Sequence, residues 1–204
     1  MLRFALPAAI ALGALAAPAA LTQPAAPRLE LPLACPNGRC VIQQYFDVDS
    51  GPAARDHRCG PKAYNGHDGT DFRVPTRAAM LAGVAVRAAA AGTVKNVRDG
   101  VPDHLGSDVD IAAAKGRECG NGVLLAHPGG WETQYCHMRN GSIRVRPGQS
   151  VAAGATLGQV GQTGEAAFPH LHLGVREGQR EVDPFAYGAQ PLACGAGGRS
   201  LWSP

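Results

Sequence analysis

"AAFPHLHLGV", residues 166–175, places two histidines around a single leucine in a short apolar run. Successive side chains of a strand point to opposite faces. Leu171, Leu173 and Val175 would then share one face, and His170, His172 and Gly174 the other. The apolar face is expected to pack on a core. Both histidines then point away from it, into a groove or solvent. A His-x-His pair gains meaning as a metal site only when further ligands exist elsewhere in the chain.

Seven histidines are present. A catalytic zinc usually takes three protein ligands and keeps one position open. The best second source is "HDGTD", residues 67–71, which offers His67 and Asp71. Fully extended, these two would sit about 13 Å apart, too far for one metal. The segment must bend, and Gly69 supplies the freedom. Residues two apart on a strand are roughly 6–7 Å apart at the backbone. One histidine of the pair can therefore ligate while its neighbour stands beside the metal, free for acid–base work. A third piece, "TQYCHM", offers His137 on a strand of a central hairpin formed by "NGVLLAH", "PGG" and "WETQYCHM". His127 closes a strand before the turn and is expected to be structural or solvent-facing. His57 and His104 lie in loop-like sequence. "DVDSG" at 47–51 hints at a calcium loop but lacks the remaining acidic positions, so a solvated turn is expected.

The 204 residues suffice for one ordinary domain. Glycine and proline, 27 and 16 residues, favour many short strands over long helices. "GVAVRAAAAGTV" and "GQSVAAGATLGQV" echo one another and suggest a duplicated β-unit. "RAAMLAG" is the one short helical turn expected, and 99–119 reads as a long surface loop. Residues 1–20, with an early Arg3, an Ala-rich apolar stretch and small-x-small sites, read as a signal peptide. Export follows, to the periplasm or the extracellular side, with no stable membrane insertion after cleavage. Without Arg3 the basic residues number 18 against 16 acidic ones. That balance argues against nucleic acid or an anionic membrane as partner. A monomer is expected.

Six cysteines in an exported chain suggest three disulfides. In "CPNGRC" an Asn37-Gly38 turn sets Cys35 opposite Cys40. The central hairpin brings Cys119 near Cys136. Cys59 with Cys194 is left by elimination. Strict alternation puts Cys136 on the face opposite Tyr135 and His137, so that a disulfide on one face would brace a histidine on the other.

His67-Asp68-Gly69-Thr70-Asp71, Tyr135-Cys136-His137-Met138 and Pro169-His170-Leu171-His172-Leu173 resemble, in order, the three signature motifs of lysostaphin/LytM-type zinc metallopeptidases. The resemblance covers roughly residues 64–185. It implies a mainly β fold: a single domain of mostly antiparallel sheets with a duplicated hybrid motif, sandwich-like, with long loops and few short helices. It implies that His67, Asp71 and His172 hold a zinc ion (Zn2+). It implies that His137 and His170 are catalytic histidines outside the ligand set. It implies endopeptidase action on the peptide part of peptidoglycan. The expected organisation is a signal peptide at 1–20, a lead-in with a cysteine hairpin at 21–63, the metallopeptidase domain at 64–187 and a tail at 188–204. Two features depart from the family pattern. The approach "TGEAAFPHLH" replaces a short Gly/Ser-rich one, and 99–119 is long; both are expected to reshape the groove. A non-catalytic scaffold that binds the wall or regulates another hydrolase is the alternative. A biotinyl/lipoyl-type carrier is disfavoured because no Met-Lys-Met-like attachment site exists.

Overall fold

The computed structural model describes residues 25–35, 41–104, 114–189 and 196–204. Residues 1–24, including the expected signal peptide, lie outside that set. Among the described residues no helix is long and apolar enough to cross a membrane.

The regular structure of the described residues consists almost wholly of antiparallel strands. In order these are β1 (Val41–Gln44), β2 (Thr70–Arg73), β3 (Ala85–Arg87), β4 (Gly92–Arg98), β5 (Asn121–His127), β6 (Trp131–Met138), β7 (Ser150–Val151), β8 (Thr156–Gln159), β9 (His170–Glu177) and β10 (Arg180–Glu181). One sheet runs β1-β2-β9-β6-β5-β4-β7, with β10 pairing on β9. A second, two-stranded sheet joins β3 to β8. The two echoing segments account for this arrangement. Each contributes a strand, a small-residue turn and a second strand, and the segments pair reciprocally, β3 with β8 and β4 with β7. The duplicated β-unit is therefore a pair of exchanged arms.

The expected helical turn is α1 (Arg77–Ala82). The Thr76 hydroxyl caps it by accepting the Ala79 amide, and Gly83 ends it at φ 99°, where a side chain would be strained. "PGG" makes a single 3-10 turn between β5 and β6.

β9 alternates as its sequence requires. Leu171, Leu173 and Val175 have no exposed surface. Each such fully buried side chain stabilises the fold by roughly 1.5–3 kcal/mol. They join Phe72, Tyr135, Val123 and Leu125 of the large sheet, Val86 of β3 and Leu157 of β8 in one core. The same core takes Leu29 and Leu33 from the lead-in and Leu201 from the tail. Leu29 and Trp202 form a parallel bridge, so both flanks are woven into the domain. Tyr135 is buried with its hydroxyl accepting from the Ala89 amide at 2.7 Å and bonded to Thr133. Burial pushes that phenol up to about 12.

Candidate metal centre

Register brings the first two ligand candidates together. β2 and β9 are neighbours, and Asp71 lies directly opposite His172. Side chains so paired share a face and stand close enough to meet. His67 precedes β2 in a turn fixed by its neighbours. The Asp47 carboxylate accepts the Gly66 amide at 2.9 Å, and the Asp47 amide donates to the His67 carbonyl. Asp47 also accepts the amides of Asp49 and Arg55. The "DVDSG" segment is thus a structural turn whose carboxylate clamps the approach to the site.

Three donor atoms converge: His67 Nε2, Asp71 Oδ1 and His172 Nδ1. Their separations are 3.1 Å (His67–Asp71), 3.0 Å (His172–Asp71) and 3.2 Å (His67–His172). His67 Nδ1–H donates to the Tyr45 carbonyl at 2.6 Å, which leaves Nε2 as the bare nitrogen of the neutral ring. His172 Nε2–H faces the Asp68 carboxylate at 3.2 Å, which leaves Nδ1 bare once the ring gives up its second proton. Three lone pairs therefore point at one spot, nearly dry: His67 and Asp71 are 2% and 3% exposed. Such a point needs positive charge, from a proton or a metal ion. Two imidazole nitrogens and one carboxylate oxygen are the donor chemistry of a transition-metal site. They form a group able to hold a metal ion.

The titration behaviour says the same. Burial alone would raise the Asp71 carboxyl, but its contacts with the His172 and His67 imidazoles hold it well below the usual carboxylate range. Burial pulls His172 down, yet Asp68 and Asp71 outweigh it and push the imidazole up to about 9. The Asp68 carboxyl is lowered chiefly by its bond to His172.

Gly69 acts by absence rather than by flexibility. A Cβ there would meet the His172 ring at 2.6 Å. The glycine lets the loop close over the ligand.

His170 and His137 stand beside this centre. His170 Nε2 is 3.7 Å from Asp71 Oδ1, and its Nδ1–H donates to the Phe168 carbonyl at 2.8 Å. His137 Nδ1–H donates to the Thr163 carbonyl at 2.8 Å. Both rings are thereby held with Nε2 as the free nitrogen. The two rings lie 4.5 Å apart, and His137 is 6.0 Å from His172. Burial lowers His137 well below the normal imidazole value, with His170 and His172 adding to it. Burial also lowers His170, against an opposing pull from Asp71. Phe168 stacks on His170 at 4.6 Å, and the Arg73 guanidinium lies over Phe168. Two of the five, His137 and His172, line a groove of about 410 Å³ together with Tyr64, Asp68, Gln134, Cys136 and Arg176 among others; His67, Asp71 and His170 are buried behind them.

One expectation is corrected here. Cys136 and His137 do not face opposite sides. Asn121 pairs with Met138 and Val123 with Tyr135, so Cys136 and His137 together oppose Gly122 alone. This is a β-bulge, and His137 takes its left-handed backbone, φ 60°. The extra residue cancels the alternation and turns both side chains to the groove. The expected disulfide, Cys119–Cys136, is present on that same side. Cys35 and Cys59 are disulfide-bonded; Cys40 and Cys194, and with them the expected pairings, lie outside the described residues.

The remaining histidines stay out of the cluster. His127 donates to the Ala91 carbonyl and bonds the Thr133 hydroxyl, a structural role. His57 packs on Tyr45 and Phe185, and His104 donates to the Gly164 carbonyl. Sequence reasoning missed Asp68, Asp47 and the carbonyls of Tyr45, Thr163 and Phe168. Backbone acceptors leave no mark in a sequence; Asp68 did, as a second carboxylate inside the His67 motif.

Comparison with known proteins agrees with this geometry. The chain is similar to the Cell division protein DipM of Caulobacter vibrioides, 38% identical over 85 residues, 40% of this chain and 14% of that protein. It is similar to the DD-carboxypeptidase/endopeptidase Mpg of Neisseria meningitidis, 34% identical over 87 residues, 42% of this chain and 19% of that one. It therefore spans under a fifth of the length of these relatives. Its fold is similar to the catalytic domain of the prophage-encoded M23 protein EnpA from Enterococcus faecalis, with TM-score 0.51 and 22% identity, over 74% of this chain and 94% of that one. Residues 65–184, more than half the chain and the span that holds all five site residues, match the model of Peptidase family M23; the chain belongs to that family.

Proposed function

We propose that the protein is an exported zinc endopeptidase that hydrolyses amide bonds in the peptide part of peptidoglycan. The observation that carries this reading is the meeting of three inward donor atoms with two further histidines beside them, each with Nδ1–H committed to a backbone carbonyl and Nε2 left free. The relatives named for endopeptidase activity support the substrate class.

His67, Asp71 and His172 would hold the zinc. Zinc, when bound, acidifies water towards neutrality and polarises a carbonyl. His170 is the proposed base: its Nδ1–H is committed to Phe168, so Nε2 receives the proton of the attacking water. Burial, which lowers its pKa, favours the neutral form that can accept this proton. His137 is the proposed partner. It rests neutral; it receives at Nε2 the proton that His170 has drawn from the water, the two rings lying 4.5 Å apart, and as an imidazolium it stabilises the negative charge on the substrate oxygen before passing that proton to the leaving amine. Asp68 positions His172 by holding Nε2–H.

Two outcomes follow directly. Asp68→Ala is expected to weaken zinc binding by about 10–100-fold, the usual cost of losing a partner that orients a ligand; competition titration against a chromogenic chelator measures it. Zinc uptake must also displace the proton that His172 carries below about 9. Apparent affinity should therefore rise roughly tenfold per pH unit up to that value. Added zinc should then move the acid limb of the activity profile to lower pH, whereas a limb set by protonation of His170 would stay fixed.

The decisive assay is mass spectrometry of muropeptides released from purified wall by the zinc-loaded protein, with His172→Ala as control. New cleaved stem peptides or cross-links, absent from the control, are expected. An unchanged profile would overturn the enzyme reading and leave the wall-binding scaffold.

A further inference from the structure

The bulge that aims His137 is held from several sides. The His137 amide donates to the Cys119 carbonyl at 2.8 Å, and its carbonyl accepts the Gly161 amide at 3.0 Å. Its ring is tied to Thr163. Cys119 lies just ahead of β5, and Cys136 is the residue before His137, so their disulfide closes directly across the bulge. A Cβ at Gly122 would lie 2.5 Å from the Tyr135 carbonyl oxygen and 2.9 Å from Cys119 Sγ. The segment around Cys119 is in turn pressed against the one that carries Thr163: a Cβ at Gly164 would clash with the Glu118 carbonyl oxygen. The Glu165 amide donates to that same carbonyl.

Nothing in the five-residue chemistry requires a cysteine beside His137. A bulge is a local defect in pairing, and the two strands gain a regular ladder by losing it. Regular pairing would return His137 to the face opposite Cys136, away from the groove. A covalent link from Cys136 to the residue that receives the His137 amide blocks that slip.

We propose that the Cys119–Cys136 disulfide is a positioning element for His137: it fixes the bulge, and through it turnover, while zinc retention does not depend on it. This rests on the hydrolase reading above, since it assigns His137 a part in turnover.

The test compares the wild type with Cys119→Ser/Cys136→Ser and Cys119→Ala/Cys136→Val, zinc-loaded and assayed on purified wall. Turnover is expected to fall about a hundredfold, the effect of a misplacement near 1 Å, with KM and zinc content within about twofold of wild type. The His137 Nδ1–H resonance, sheltered by the Thr163 carbonyl, should be lost to solvent exchange. Unchanged turnover with that resonance intact would overturn the proposal, as would loss of zinc along with turnover, which marks a general structural role. If wild-type protein hydrolyses nothing, the hydrolase reading fails; the resonance still reports separately whether the disulfide positions the ring. Should neither variant fold, the wild type is titrated with a phosphine, which takes up oxygen from water as each disulfide becomes two thiols. Turnover should then fall in step with thiol labelling of Cys119 and Cys136. A fall that instead tracks labelling of Cys35 and Cys59 would refute the assignment.

Discussion

His137→Ala is expected to keep its zinc and lose about a thousandfold in turnover. The ring's hydrogen bond runs to the Thr163 carbonyl and not to the three converging donor atoms, although its edge meets the His172 ring at 6.0 Å. Removing it leaves His67, Asp71 and His172 with the hydrogen bonds they have now. What disappears is the Nε2 that faces the groove, and with it the stabilisation of charge that forms only during reaction. KM should therefore stay near the wild-type value while kcat falls. Metal content by atomic emission and steady-state kinetics on a defined peptide measure the two halves separately. A variant with near-normal hydrolysis would remove His137 from the mechanism.

His172→Ala has the opposite signature: zinc and activity are lost together. It deletes one of three donors and also the group that ties Asp68 and Asp71 into one arrangement. The loss of affinity should exceed the roughly 10–100-fold typical of a removed orienting group. The void opens beside Gly69, where no side chain stands to fill it. Zinc should then no longer raise the melting temperature, because a metal stabilises only the state that binds it. A zinc-dependent thermal shift equal to that of the wild type would exclude His172 as a ligand.

The strand order of chemistry was legible, but its orientation was only partly so. Alternation in 166–175 was enough to put Leu171 and Leu173 in the core and both histidines on the other face, because β9 pairs regularly on both sides. His67 and Asp71 were candidates from their spacing and the bend at Gly69, and the resemblance of the three motifs joined them to His172. Turn residues and the echo of two segments pointed to many short strands and a duplicated β-unit; the antiparallel arrangement came with the resemblance of the three motifs. Alternation failed at Cys136–His137, since a bulge is a property of two strands and cannot be seen in one. Contributions from Leu29, Leu33 and Leu201 were also hidden: isolated leucines in Pro- and Gly-rich surroundings carry no period, and only the completed core shows where they go.

Asp71 and His172 are 101 residues apart in sequence, yet they face one another across adjacent strands. β9 enters the sheet between β2 and β6, two strands made much earlier. A chain still being synthesised, or one halted before residue 172, has no assembled centre. Non-local pairings of this kind form late and slowly compared with local turns. The three-donor centre is therefore absent until the last long strand is in place, and the order of synthesis itself sets when it can first take up a metal ion.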